Sequence, residues 1–165
     1  MQEYNYLNQF SDDVFQFNEI AGNNTKLSIE DFQSQQRCLI EEVNEISEGL
    51  ANKDVEEVLD GVIDTLYVAI GMLHKLEEMG INTSEAMRRI AENNLSKFPM
   101  YSKELSDKTF EQYALQGINI RSDVKYVGLP RNEVLVFTDN NSKIRKPYGF
   151  KSVTLKDLVN LVEFK

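Results

Sequence analysis

Acidic side chains recur at helical spacing in two neighbouring stretches of the chain, which hold Glu41, Glu42 and Glu45 and then Glu57, Asp60 and Asp64. Residues three and four apart share one face of a helix, so each stretch predicts an acidic stripe. Like charges in such a stripe repel one another unless a cation lies beside them. Carboxylate oxygens are ligands that suit Mg²⁺ or Mn²⁺. The pattern therefore indicates a divalent-metal site shared by two helices.

A solvated acidic surface is the competing interpretation, and for either stretch alone it explains the pattern as well as a metal site does. Apolar residues accompany both stretches, however, with Val43 and Ile46 beside the first and Val62 and Ile63 beside the second. Several acids must therefore border the buried side of their helices, where an unpaired carboxylate is costly. The two stretches together favour the metal site.

Metal ions held by these carboxylates would act on a polyphosphate. They would neutralise phosphate oxygens and lower the pKa of a bound water, so that hydroxide attacks phosphorus at neutral pH. A spare carboxylate, with Glu41 as the candidate, would orient that water or accept its proton. The predicted metal ligands are Glu42, Glu45, Glu57, Asp60 and Asp64, and the predicted catalytic residues are Glu41, Glu42 and Glu45. His74, the only histidine, is predicted to be structural or to lie on the surface.

Length, charge and cysteine content restrict the class of protein. A chain of 165 residues with 41% hydrophobic content fits one domain with an ordinary core. The net charge of -9 argues against a protein that binds nucleic-acid polymers. The single Cys38 cannot form an internal disulfide and suits a reducing compartment. No apolar run approaches the ~18 residues of a membrane span, so we expect a cytoplasmic protein without a membrane partner.

Four helices joined by short links are predicted before residue 104, over residues 11–21, 30–50, 54–79 and 82–98. Ser11 is the predicted cap of the first helix, and Ser28 with Asp31 predicts a capping box at the start of the second. Gly80 ends the third helix, and Pro99 stops the fourth. Short links favour an antiparallel arrangement. We therefore predict a mainly α fold built on an antiparallel four-helix bundle.

The character of the chain changes after about residue 105. Residues 133–138 predict a strand, 139–142 a turn and 143–145 a partner strand, which together give a small β-hairpin. A last short helix over 155–164 would dock on the body or on a second subunit. The predicted organisation is thus a helical core over 1–104 followed by a C-terminal extension over 105–165.

The acidic motifs resemble the signature of the all-α nucleoside triphosphate pyrophosphohydrolases, which include MazG, the dimeric dUTPases and phosphoribosyl-ATP pyrophosphohydrolase. That signature is Glu-Glu-x-x-Glu followed by Glu-x-x-Asp on the next helix, and it matches Glu41-Glu42-x-x-Glu45 and Glu57-x-x-Asp60. The segment Asp64-Thr65-Leu66-Tyr67 also resembles the Asp-Leu-Leu-Tyr segment of the phosphoribosyl-ATP branch. With Asp64 as the motif aspartate, the expected glutamate falls on Gly61. The principal metal aspartate therefore stays open between Asp60 and Asp64. The Asp-x-x-x-Asp-x-x-Tyr form resembles a subgroup common in bacteria and bacteriophages.

The resemblance implies the fold of MazG and a Mg²⁺-dependent reaction, with Mn²⁺ as a substitute. The reaction would cleave a nucleoside or deoxynucleoside triphosphate between its α and β phosphates, in nucleotide-pool house-cleaning. The resemblance also implies a homodimer or homotetramer with sites near subunit contacts. Asn94 and Lys97 would contact the substrate, with Lys97 on phosphate, although an exposed lysine at a helix end explains them equally well.

Three other functions stay open at this stage. The substrate could be a phosphoribosyl nucleotide rather than a simple triphosphate. The chain could instead be a non-hydrolysing oligomeric module that binds metal or nucleotide, or an oligomerisation scaffold with its acids merely on the surface. Ligand binding separates the scaffold from the others, because a ligand stabilises only a state that it binds.

Overall fold

The computed structural model describes residues 6–128, 132–160 and 162–164, and these residues are mainly helical. The helices are α1 (Tyr6–Ile20), α2 (Ile29–Asn52), α3 (Val55–Glu78), α4 (Thr83–Leu95), α5 (Lys103–Ala114) and α6 (Lys156–Val159), and the strands are β1 (Ile120–Val127) and β2 (Asn132–Asp139). The mainly α class with one antiparallel hairpin confirms the prediction. No helix in the described part of the chain is both long and apolar enough to cross a membrane.

The chain divides into two compact units, Met1–Thr83 with Lys156–Lys165 and Ser84–Leu155. In the first unit, α2 packs along α3, and α1 also packs on α3. The second unit contains α5, the hairpin and nearly all of α4. Because the packing of helices seen here involves α1, α2 and α3, the four-helix bundle stays a prediction.

The α1 helix starts earlier than the sequence predicts. Tyr6 is already helical, so the predicted cap at Ser11 is wrong. The Ser11 hydroxyl instead lies 3.1 Å from Nε2 of His74 on α3. The helix ends before Gly22, whose φ of 64° suits a glycine, as predicted.

The α2 and α3 helices form a hairpin with a very short link. The capping box is confirmed, because Ser28 Oγ accepts from the Asp31 N–H and Asp31 accepts from the Ser28 N–H. Lys53 adopts the left-handed conformation that ends α2, with a φ of 57°. Asp54 then caps α3 by accepting the N–H groups of Glu56 and Glu57. Local capping thus determines where both acidic helices begin.

The hairpin in the second unit differs from the prediction. Strand β2 pairs with the upstream β1 in an antiparallel register that places Ile120 opposite Asp139. The predicted partner segment 143–145 does lie beside β2, through an antiparallel bridge of Ile144 to Thr138 and a hydrogen bond from the Arg145 N–H to the Phe137 carbonyl oxygen, but it does not form a strand. The Asp139 carboxylate accepts the N–H groups of Asn141 and Lys143, which stabilises the turn at the predicted position 139–142.

The sequence prediction missed α5 and overestimated the last helix. Phe137 of β2 is fully buried and meets the Phe110 ring of α5 edge-on, with centroids 6.3 Å apart. The last helix is only α6, and residues 162–164 are not helical. Leu161, which the prediction also included, lies outside the described residues. The ring of Phe164 packs edge-on against Phe32 of α2.

Candidate functional site

The structure brings Glu42 and Glu45 of α2 together with Asp64 of α3. Loss of surrounding water raises the pKa of Glu42, and the negative charges of Glu45, Asp64 and Glu41 raise it further. A hydrogen bond with the Glu45 side chain acts in the same direction. Four of the predicted acids therefore form one electrostatic cluster, which we call the carboxylate cluster and define as Glu41, Glu42, Glu45 and Asp64.

Two glycines allow the helices that carry the cluster to approach closely. A Cβ on Gly61 would lie 2.9 Å from a side-chain carbon of Ile46 and 3.2 Å from the Glu42 carbonyl oxygen. A Cβ on Gly49 would lie 2.9 Å from both the backbone nitrogen and a side-chain carbon of Val58. If Asp64 is the motif aspartate, the glutamate of the signature falls at position 61, where a side chain would collide with α2.

The chemistry of the cluster suits a hard divalent cation. Its donors are carboxylate oxygens alone, which Mg²⁺ and Mn²⁺ prefer. Among the described residues, no lysine or arginine forms an ion pair with a member of the cluster. The uncompensated charge and the raised pKa of Glu42 are features that a bound cation would relieve. In the same part of the chain, however, no three acidic, histidine or cysteine side chains converge as metal ligands do.

Glu57 and Asp60 stand apart from the residues that perturb Glu42. Together with Asp54, Glu56, Leu59 and Ile63 they line an open hollow of about 570 Å³ on α3. Glu57 lies in the first turn of α3, where a negative charge stabilises the helix dipole. That local role explains Glu57 without a metal, and the ligation of metal by Glu57 and Asp60 stays a prediction.

Tyr67, which has no predicted role in the metal site, lies near Asp64. Burial raises the pKa of the Tyr67 hydroxyl, and the charges of Asp13 and Asp64 raise it further. The Tyr67 ring meets Phe10 and Phe17 of α1 edge-on, with centroids 5.8 and 5.7 Å apart. Tyr67 comes three residues after Asp64, so the helical spacing on α3 was a signal that could have identified it.

Asn94 lies in the last turn of α4 and Lys97 follows two residues after the helix ends, both in the second unit. The Lys97 ammonium donates to the Asn94 side-chain oxygen over 2.7 Å. The two predicted substrate-binding residues therefore contact each other. Their contact with substrate stays a prediction.

His74 is held among aromatic and polar neighbours of α1. Its ring packs edge-on against Phe15 at 5.4 Å, and its Nε2 lies 3.1 Å from the Ser11 hydroxyl. These contacts link α3 to α1, in agreement with the predicted structural role.

One protein-family model matches a segment of the chain that contains the six predicted acidic site residues, Glu41, Glu42, Glu45, Glu57, Asp60 and Asp64. Residues 18–94 match the model of the phosphoribosyl-ATP pyrophosphohydrolase family. This segment, which is slightly less than half of the chain, is similar to that family. The phosphoribosyl-ATP pyrophosphohydrolase domain belongs to the MazG-like all-α superfamily, as the motif resemblance predicted. Searches of curated proteins and of solved structures found no match.

Members of this family are typically dependent on a divalent metal and hydrolyse a phosphoric anhydride. The domain includes the whole carboxylate cluster, together with Glu57 and Asp60. It ends at Asn94, so Lys97 lies beyond it. Its N-terminal limit at Asn18 leaves Asp13 and Phe10 outside.

Proposed function

We propose that the chain is a Mg²⁺-dependent pyrophosphohydrolase that cleaves a nucleoside triphosphate or deoxynucleoside triphosphate to the monophosphate and pyrophosphate. Its role would be to remove unwanted nucleotides from the cytoplasmic pool. The observation that carries the proposal is the cluster of Glu42, Glu45 and Asp64 across two helices of a pyrophosphohydrolase domain.

The acidic residues would have different roles in the reaction, according to their positions. Glu42, Glu45 and Asp64 would hold the metal, with Glu57 and Asp60 as further candidate ligands. Glu41 is exposed beside Glu42 and is the candidate to accept the proton of the attacking water. Water adds to phosphorus at the α–β anhydride, and the bridging oxygen leaves with pyrophosphate. When bound, Mg²⁺ would neutralise polyphosphate oxygens and lower the pKa of water.

Phosphoribosyl-ATP is the second candidate substrate, and the identity of the matched family favours it. It contains the same triphosphate, so the carboxylate cluster would perform the same cleavage. The extra ribose phosphate would need a cationic partner, and Lys97 is the candidate in the sequence. The rate of pyrophosphate release distinguishes the two candidate substrates, because we expect only one of them to be cleaved efficiently.

We also propose that the enzyme is a homo-oligomer, either a dimer or a tetramer. Val55, Leu59, Val62 and Leu66 recur at helical spacing along α3, and all four are exposed in the single chain, with Val55 at 81% and Leu59 at 61%. Exposed apolar stripes of this kind mark interaction surfaces. A second copy that covers this stripe would bury it without any further partner.

Pyrophosphate release tests the proposed reaction. The substrates are a panel of canonical and modified triphosphates together with phosphoribosyl-ATP, assayed with Mg²⁺, with Mn²⁺ and with chelator. We expect metal-dependent release with the monophosphate as co-product, and loss of release in Glu45→Ala. Unchanged helical circular dichroism in the variant would show that the fold is intact.

Two results would contradict the proposal. Full activity of Glu45→Ala would remove the carboxylate cluster as the site. Nucleotide binding without pyrophosphate release from any substrate in the panel would instead indicate a binding module.

A further inference from the structure

One edge of the hairpin in the second unit is open. Strand β1 pairs with β2 on one side, and no other described segment pairs with it. Strand β2 is bordered on both sides, because the Leu135 N–H donates to Pro99 and the Arg145 N–H donates to Phe137. Strand β1 is therefore the edge strand.

The hydrogen bonds of β2 determine which groups of β1 face this edge. The odd-numbered residues of β2 bond away from β1, through Glu133, Leu135, Phe137 and Asp139. In an antiparallel strand, alternate residues bond to opposite sides. The even-numbered residues of β2 therefore bond to β1, opposite Arg121, Asp123 and Lys125. The N–H and C=O groups of Ser122, Val124 and Tyr126 must then point outward.

The side chains along this edge are exposed and partly apolar. Val124 is 39% exposed, Tyr126 61% and Val127 47%. Proteins usually protect such an edge with proline, a bulge, a cover or charges that find no partner, since the edge offers a template for another strand. No proline interrupts Ile120–Val127, and its register with β2 is continuous. The edge is thus able to accept a strand.

The charges on β1 alternate in sign along one face. Arg121, Asp123 and Lys125 occupy every second position, so their side chains project from the same face of the strand. All three are exposed. A positive, negative, positive order can face a shifted copy of itself with opposite charges paired, so a second copy of β1 is a suitable partner strand.

We propose that β1 pairs in antiparallel fashion with β1 of a second copy of this chain, in a register centred on Val124. In that register Val124 faces Val124 of the copy and Ser122 faces Tyr126, so the outward N–H and C=O groups bond to one another. Asp123 faces Lys125 on both sides of the two-fold axis. The pair of hairpins becomes one continuous four-stranded sheet.

The neighbouring registers are less favourable. Centring the pair on Asp123 keeps the backbone bonds but places Asp123 opposite itself and Arg121 opposite Lys125, and like charges directly opposite are destabilising. Centring it on Ser122 pairs only Ile120 to Val124 and leaves Tyr126 and Val127 exposed. The register on Val124 alone combines opposite charges with pairing from Arg121 to Val127.

Charge reversal tests the pairing in the full chain. We expect Asp123→Lys to halve the mass measured by sedimentation equilibrium, because it places lysine opposite lysine. The double variant Asp123→Lys with Lys125→Asp should restore the wild-type mass, since the opposite charges face each other again. Asp107→Lys, an exposed change of equal charge on α5, should leave the mass unchanged.

Disulfide trapping tests the register. In a Cys38→Ser background, Val124→Cys should give a covalent dimer on oxidation, because directly opposed Cα atoms lie about 5.5 Å apart, within the range of a disulfide. Ser122→Cys is the matched control. Its two copies would lie about 13 Å apart at ~3.4 Å per residue, so no covalent dimer should form.

Val124→Pro is a second variant that distinguishes loss of strand pairing from failure to fold. Its N–H points outward, so proline there removes no hydrogen bond within the hairpin, and we expect a folded protein of halved mass. A monomeric wild type, or one mass for the wild type, Asp123→Lys and Val124→Pro, would overturn the proposal. Leu59→Lys tests the α3 stripe separately, because trapping through Val124→Cys should survive that change.

Discussion

Gly61 of α3 lies directly against the backbone of Glu42 on α2, since a Cβ at position 61 would be 3.2 Å from the Glu42 carbonyl oxygen. The residue that departs from the sequence signature is therefore the one that lets the two acidic helices meet. The absence of a side chain at position 61 lets α2 and α3 approach closely, and the charge of Asp64 contributes to the raised pKa of Glu42.

We expect Gly61→Ala to destabilise the protein by about 1 to 3 kcal/mol, the usual cost of overpacking. Alanine would stabilise the helical backbone by about 1 kcal/mol relative to glycine. Its methyl group would, however, push α2 away from α3. Gly71→Ala is the matched control, because its Cβ would meet only the end of the Asn18 side chain at 3.2 Å and two more distant side-chain atoms. Urea unfolding of both variants measures the difference. Equal stabilities would show that the crossing tolerates a methyl group.

Glu42→Gln should change how stability depends on pH. The folded pKa of Glu42 is raised above its ordinary 4.5, so the folded state holds a proton that the unfolded state has lost. Stability therefore falls as pH rises from about 4.5 through the folded pKa. We expect the variant to match the wild type below pH 4.5 and to exceed it at pH 7. Thermal unfolding across this range measures the difference.

Addition of Mg²⁺ should make the wild type more stable than Glu42→Gln at pH 7, the reverse of their order without the metal. The cation would stabilise the wild type, which keeps the full carboxylate cluster, more than Glu42→Gln, because a ligand stabilises only the state that binds it. The same thermal scans at pH 7, with Mg²⁺ and with chelator, provide the measurement. An equal shift in both proteins would place the cation elsewhere.

The two candidate aspartates should differ in their effect on turnover. Asp64 contributes to the perturbed pKa of Glu42, whereas Asp60 lines the hollow with Glu57. We expect Asp64→Asn to lower kcat/KM by about a hundredfold or more, the scale of a lost transition-state contact, and Asp60→Asn by less than about tenfold. Pyrophosphate release under saturating Mg²⁺ measures both. A larger loss in Asp60→Asn would make Asp60 the principal ligand.

Lys75 should be the most important lysine for stability. Its side chain is 2% exposed, and its ammonium donates to the carbonyl oxygens of Asn23 and Lys26 in the link between α1 and α2. Lys75→Met would leave both carbonyls without that donor, so we expect a loss of about 1 to 3 kcal/mol.

Lys26→Met is the matched control for this change. The Lys26 ammonium bonds the Asn23 side chain at an exposed position, so its loss should cost less than about 0.5 kcal/mol. Denaturant unfolding compares the two variants. Equal losses would mean that the buried ammonium contributes no more than a surface contact.

The sequence predicted best where short-range chemistry determines structure. Ser28 and Asp31 identified the start of α2 because a capping box needs only residues three apart. Ser11 misled the same reasoning, since its hydroxyl serves a tertiary contact with His74. The acids at 42, 45 and 64 were identifiable from helical spacing, whereas the proximity of Asp13 to Tyr67 depends on how α1 packs on α3.

The second unit was harder to predict because its strands depend on tertiary pairing. Residues 120–127 carry charged side chains at 121, 123 and 125, a period-two pattern that fits an exposed strand and that the sequence prediction does not include. The segment around Ile144 follows the predicted turn and borders β2, but its pairing is limited to an isolated bridge, so the long partner of β2 is the upstream β1. For α5, Ser102 was an available cap signal, with Thr109 and Tyr113 buried at the spacing of one helical turn.

The link of Lys53 and Asp54 between α2 and α3 has a consequence for insertions and deletions. Glu42 and Asp64 lie nearly equally far from this link, on helices whose crossing is held by Gly49 and Gly61. One residue added between Gly61 and Asp64 would rotate Asp64 by about 100° around α3. The relative position of Glu42 and Asp64 is therefore fixed by residue count, and related chains should keep the length of this segment unchanged.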